Sequence, residues 1–291
     1  MGEPTVRRRR LGSELRRLRE AAGLTLEEVE ARNPALKLSK VSRIETARLG
    51  IKAPDLDALL ALYGLDEGDE GEAVRAKRTV LHRLARDGAR RGWWQTYREI
   101  ISPAYADLIS LEDDAASMRT YQSLLIPGLL QTAAYARATI SAINMTSPAE
   151  RVTGLVEVRR ARQAVLSRPS PLEVWAIIHE AALRPQLADA PGVMKEQLQR
   201  LLDLMELPHV TIQILPLHTP PHPGLTGPFT SLRFPGTADL DVVLVEHLTS
   251  ALYFEDPGEV AIYGSAFEHL RAAALPLDTS ADLIAKLKDT L

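Results

Sequence analysis

Four short apolar patterns, each closed by a glycine or a proline, fill the first 65 residues. Such a segment has few folds open to it besides a bundle of short helices. Leu11, Leu15, Leu18 and Ala22 recur at spacings of three and four, which places them on one helical face with the arginines opposite. Gly23 stops that helix, because glycine tolerates a left-handed turn. Thr25 and Glu28 then have capping-box spacing, with Leu26 and Val29 as the inner positions of a second helix. Asn33 and Pro34 end it. Ser39 is placed to cap a third helix whose inner face is Val41 and Ile44. Gly50 and Pro54 punctuate, and Leu56, Leu59, Leu60 and Leu62 mark a fourth helix before Gly64.

Charge divides along the same line. Residues 1–52 hold 13 Lys and Arg against 7 Asp and Glu, residues 53–98 hold 8 of each, and residues 99–291 hold 14 against 23. A net charge of -3 therefore conceals a basic start on an acidic body. The basic start fits a polyanion partner. The 14 aromatic residues all lie at Tyr63 or later, outside the basic segment. Base stacking on aromatics is thus missing there, and duplex DNA is the expected partner rather than single strands.

The rest of the chain changes character. Asp66 to Glu72 is acidic with two glycines, and a helix is expected over about residues 73–86. The stretch 66–92 reads as a helical connector. From Trp93 to Val165 the pattern is mostly helical, with one strand expected near 118–126. Strand-like runs follow at 172–178, 210–215, 229–234, 241–245 and 251–254, with helices at about 194–207 and 259–274. The expected fold is an N-terminal all-α helix-turn-helix bundle, joined by a helical connector to an α+β domain with a small, mostly antiparallel sheet. The expected domains are 1–65, 66–92 and 93–291.

Function follows from the third helix. In a helix-turn-helix, the recognition helix points its N-terminal residues at the major groove while its inner face holds the bundle. Lys40, Ser42 and Arg43 would face outward, with Lys37 and Ser39 at the helix start and Thr25 and Arg48 at the flanks. Lys and Arg suit guanine edges or phosphates, and serine suits either. Arg7, Arg8, Arg9 and Arg10 would follow a phosphate strand or enter a minor groove. Glu45 is the wrong charge for DNA and is expected to pair with Arg16, Arg17 or Arg19.

The stretch LTLEEVEARNPALKLSKVSRIETARLGIKAPDLDALLALYG resembles the N-terminal domain of the lambda-repressor-like, Xre-type regulators, most strongly at SKVSRIET, Ser39 to Thr46. The body is similar to the C-terminal domain of an actinobacterial, antitoxin-like regulator family, a domain of uncharacterised function. The motifs are IPGLLQTAAYARA, VRRARQAVL, HPGLTGPF, VVLVEHL and ALYFEDPGEVAIYGSAFEHLRAAAL, in that order. The resemblance implies a transcriptional regulator whose gene often neighbours that of a small partner protein. Two features depart from the pattern. Leu26 stands where the family usually carries a DNA-contacting glutamine, and the turn from Asn33 to Leu38 is a residue longer.

Other constellations carry less. Without cysteine there is no disulfide, thiolate zinc site or cysteine nucleophile. His218 and His222 are four apart, but Pro220, Pro221 and Pro223 forbid a helix, so no metal is expected. Glu112, Asp113 and Asp114 read as a solvated helix end. No phosphate loop, nucleophile elbow or dinucleotide fingerprint occurs, and no enzyme activity or cofactor is expected. The stiff loop His218–Gly227 is a candidate wall for an effector pocket or partner surface. His222, Gly224 and Gly227 are its candidate residues. Trp93 and Trp94, just past the connector, are the other candidates for such a surface, expected to pack between domains before they would stack on a ligand. No run of about 18 apolar residues occurs, and charged residues follow the first arginines where an export signal needs apolar ones. The expectation is a cytoplasmic, dimeric, sequence-specific DNA-binding regulator without a membrane contact. Its body would serve a small-molecule effector or a small partner protein. The alternative is a module that sequesters such a partner, with DNA binding weakened or lost; behind it stands an enzyme with chemistry in the C-terminal domain.

Overall fold

The computed structural model describes residues 6–66, 71–87, 92–184, 192–234, 240–248 and 250–291. These form two units. The first falls within Met1–Gln95, Tyr105–Leu111 and Phe234–Leu240, and the second within Thr96–Ala104, Glu112–Arg233 and Asp241–Leu291.

The first unit is a helical bundle. Its helices are α1 (Val6–Ala21), α2 (Leu26–Arg32), α3 (Leu38–Glu45), α4 (Ala53–Leu62) and α5 (Glu72–Asp87). Leu11, Leu15, Leu18, Val29, Val41, Ile44, Leu56, Leu59 and Leu60 are buried together, as the spacing predicts. Ala22 is exposed instead, because α1 ends one residue earlier and the chain turns at Gly23. Burying each such leucine stabilises by roughly 1.5–3 kcal/mol, so this face decides where the helices meet. Val80, Leu81 and Leu84 of α5 enter the same core. Helices α1 and α3 pack closely at Gly12, where a Cβ would stand 2.6 Å from the Glu45 carbonyl oxygen.

The second unit is α+β. Strands β1 (Ser117–Gln122), β2 (Glu173–His179), β3 (Val210–Leu215), β4 (Phe229–Arg233), β5 (Val242–Glu246) and β6 (Ala251–Phe254) form one sheet in the order β3-β2-β1-β4-β5-β6. Three pairings are antiparallel: β1 with β4, β4 with β5, and β5 with β6. The other two are parallel, β1 with β2 and β2 with β3, so the sheet is mixed. Parallel neighbours need long crossovers. Here α7 (Ala133–Ile143) and α8 (Ala149–Arg162) lead from β1 to β2, and α9 (Val193–Met205) leads from β2 to β3. Helix α10 (Pro257–Ala273) sets Phe267 and Leu270 against Tyr121, Ile177, Leu215, Phe229 and Val243. Helix α11 (Leu277–Asp289) follows, and Ser280 caps the edge of β3 by accepting from the Ile214 N–H at 3.0 Å.

The acidic run on α6 (Pro103–Asp114) is not wholly solvated. Glu112 is buried and accepts two hydrogen bonds from Arg162, at 2.8 and 2.5 Å. Fifty residues separate the partners in sequence, so periodicity could not show the pair. No described helix is long and apolar enough to cross a membrane.

Candidate nucleic-acid interface

The two helices of the motif are built locally. The Glu28 N–H donates to Thr25 Oγ1 at 3.2 Å and the Thr25 N–H donates to the Glu28 carboxylate at 2.7 Å, which closes the expected capping box. Thr25 is thereby committed to the helix start. Leu26 packs its side chain against the bundle core. The longer turn pays its way through Leu36, which is 1% exposed. Asn33 Oδ1 accepts from the Ala35 N–H at 3.1 Å and shapes the bend.

Helix α3 starts at Leu38, so Ser39 lies inside its first turn and does not cap it, contrary to expectation. The cap comes from α2. Glu30 accepts from the Leu38 N–H at 2.8 Å and pairs with Lys37 Nζ at 3.0 Å. The Leu38 N–H first, and Lys37 second, hold the Glu30 carboxyl below its usual range. Val41 and Ile44 are buried, while Ser39 and Arg43 are exposed and Ser42 is half-buried. Lys40 pairs with Asp55 of α4 at 2.7 Å. Arg43 and Arg48 have no ion pair among the described residues. Glu45 turns inward to Arg19, at 2.8 and 3.0 Å, and this hydrogen-bonded pairing raises the Arg19 pKa. Ala47 then takes φ 58°, a conformation that L residues rarely adopt, and Arg48 follows on the exposed surface.

The arginine run does not behave as an arm. It forms the first turns of α1. Arg7 is 5% exposed, donates to the Ser110 carbonyl at 3.2 Å and lies 5.9 Å from the centre of the Trp94 ring. Arg10 is 3% exposed, donates to the Leu240 carbonyl and stacks 3.8 Å over Phe234. Arg9 pairs with Asp107 at 3.1 Å. Arg8 lines a small hollow with Leu49, Gly50 and Ile51, beside the end of α3. A buried guanidinium needs partners that water no longer supplies, and residues distant in sequence supply them here. Arg7 and Arg10 therefore act as structural cations of the first unit.

The candidate effector residues fall in different units. Trp94 is buried in the first unit, edge-to-face with the half-exposed Trp93 at 6.0 Å. His222, Gly224 and Gly227 belong to the second, on the crossing from the end of β3 to the start of β4. Register brings this crossing over the carboxyl ends of β1 and β2. There His222 meets Tyr121 at 6.1 Å and His179 at 6.3 Å between ring centres. A Cβ on Gly224 would stand 2.5 Å from the Tyr121 ring, and Gly227 has φ 127°. His179 Nδ1 accepts from the Ala181 N–H at 3.2 Å. Burial chiefly, with His222 nearby, lowers the His179 pKa against the opposing pull of Glu180. Nδ1 of His222 is buried without a hydrogen-bond partner among the described residues. No three His, Asp or Glu side chains among those residues converge as metal ligands would. Sequence reasoning found His222 with its loop, and His179 as a histidine at a strand end, but missed Tyr121; only strand register places Tyr121 and His179 beneath the loop.

The bundle and its α2–turn–α3 core define a helix-turn-helix protein, and residues 10–74 match the family described as a helix-turn-helix domain. Residues 105–286 match the domain of unknown function DUF5753, and the chain belongs to that family. No curated protein and no solved structure matches the chain.

Proposed function

We propose that this protein is a sequence-specific, duplex-DNA-binding transcriptional regulator of the Xre type. It is read as one of the antitoxin-like, actinobacterial regulators that its sequence resembles. DNA contact is assigned to residues 1–65, with 66–92 as connector. Residues 93–291 are assigned to dimerisation and to sensing a small molecule or a small partner protein. The protein works in the cytoplasm and catalyses no reaction. The supporting observation is the outer face of α3, where exposed Ser39 and Arg43 back onto the buried Val41 and Ile44, with exposed Arg48 just beyond. An exposed guanidinium on a helix anchored by its opposite face can reach a base edge. Pairing two copies on a palindrome supplies the area that one small motif lacks. Of the residues assigned to DNA at the outset, Ser39, Ser42, Arg43 and Arg48 remain the contact set, with Arg8 beside the end of α3.

Fluorescence anisotropy with a duplex from upstream of the protein's own coding sequence tests this reading. Arg43→Ala should weaken binding by about 1–3 kcal/mol if Arg43 reads a base, and more for that duplex than for a random one. Equal binding by wild type and an Arg43→Ala/Arg48→Ala protein would refute the assignment of α3.

A second reading has its own support. Leu26 is packed in the core, and Lys37 and Lys40 are paired with carboxylates, which fits a partner-sequestering module with weakened DNA binding. A steep salt dependence without sequence preference would favour it.

A further inference from the structure

Two of the cations on the DNA-facing side of the motif are already engaged by carboxylates of the same bundle. Lys37 Nζ lies 3.0 Å from Glu30, and Lys40 Nζ lies 2.7 Å from Asp55. Glu30 also accepts the Leu38 N–H at 2.8 Å. Two donors that suit a DNA phosphate, a backbone amide in the first turn of α3 and the lysine before it, thus converge on one internal carboxylate. The contacts are open to exchange, for the Lys37 side chain is 63% exposed and that of Glu30 34%. The second pair is more enclosed, with Lys40 32% and Asp55 22% exposed. By contrast Arg43 and Arg48 face outward with no ion pair among the described residues.

We propose that Glu30 and Asp55 are internal competitors for the DNA phosphates and set the balance between specific and non-specific binding. The proposal rests on the DNA-binding reading above. Non-specific binding draws almost wholly on phosphate contacts. Holding Lys37 and Lys40 on carboxylates removes them from that term. The groups that can read bases, Ser39 and Arg43, are left untouched. A duplex gains the lysines only by displacing the carboxylates, so the pairs penalise random DNA proportionately more than the operator. Glu30 and Asp55 are thus specificity-determining residues that touch no base.

The test uses the full-length protein, its own upstream duplex and a random duplex, titrated across a potassium chloride series. Glu30→Gln keeps an acceptor for the Leu38 N–H while removing the charge, and Asp55→Asn does the same beside Lys40. Each should tighten random-duplex binding by about three- to tenfold and steepen the salt slope by about 0.9 for each lysine released. The operator should gain less, so the specificity ratio falls. Lys37→Gln should cost little in the wild type and abolish the gain in Glu30→Gln, a coupling that a merely structural carboxylate would not show. The proposal is overturned if Glu30→Gln and Asp55→Asn, with melting transitions intact, bind random duplex no tighter than wild type. Operator binding by the wild type would in that case leave the DNA reading standing. If none of these proteins binds either duplex at the lowest salt, the DNA reading fails and the proposal with it.

Discussion

Two ion pairs on the outside of the helical bundle and one inside the α+β unit stand in opposite surroundings. On the outer side of the bundle, Lys37–Glu30 and Lys40–Asp55 are partly open to solvent. In the α+β unit, Arg162–Glu112 is closed, with side chains 5% and 3% exposed. Exposed pairs contribute about 0–1 kcal/mol because water and salt replace either partner cheaply. A closed pair has no such replacement, so losing one partner strands a charge. The same chemistry therefore serves exchange at the open pairs and scaffolding at the closed one. Arg19–Glu45 stands between them, nearly buried and tying α1 to the end of α3.

The comparison breaks most sharply at the closed pair. Glu112→Ala should cost about 3–5 kcal/mol of stability, whereas Glu112→Met with Arg162→Met should recover most of it. Chemical denaturation of the three proteins decides this, and equal loss in the single and double variants would contradict it. Next comes the close approach of α1 and α3. Gly12→Ala pushes a methyl against the Glu45 carbonyl and should cost about 1–3 kcal/mol, with DNA affinity falling in parallel. On the open side, Glu30→Gln should shift the melting free energy by less than about 1 kcal/mol, even where it changes DNA affinity.

The smallest effect is expected at the crossing over β1 and β2. His179 has a pKa lowered in the fold, so the unfolded chain takes up that proton first as pH falls. The contribution is complete above the ordinary histidine value of 6.5 and declines on acidification below it. Protonation also puts a hydrogen on Nδ1, where the Ala181 N–H now donates. His179→Gln should flatten this part of the stability profile, which pH-dependent melting would reveal. A slope unchanged by the substitution would assign the titration elsewhere.

Much of the bundle was legible in the chain because its signals are local. The capping box at Thr25 and Glu28 spans three residues, and the buried faces of α1, α3 and α4 repeat within single helices. Five of the six strands fell where β-branched and aromatic runs predict them, and β1 overlaps the remaining expected stretch near 118–126. Their directions were not legible. Each strand shows the same alternation whether its neighbour runs with it or against it, so the parallel pairing of β1, β2 and β3 emerged only in the assembled sheet. The site divides similarly. The outward position of Arg43 follows from helical period, whereas the engagement of Lys40 by Asp55 depends on how α4 packs against α3.

The sequence by itself determined most of the residues that α1, α3 and α4 bury, the capped start of α2, and which short segment carries the exposed Arg43 and Arg48. These rest on contacts three or four residues apart, whose geometry is set by the backbone alone. Tertiary structure decided the partners of the charges that do not pair with a neighbour three or four residues away. It took Arg7 to Ser110 and Arg10 to Leu240, brought His222 over Tyr121 and His179, and set Glu30 against the start of α3. A buried or half-buried ion must find a counter-group wherever packing offers one, and packing joins residues that the chain keeps far apart.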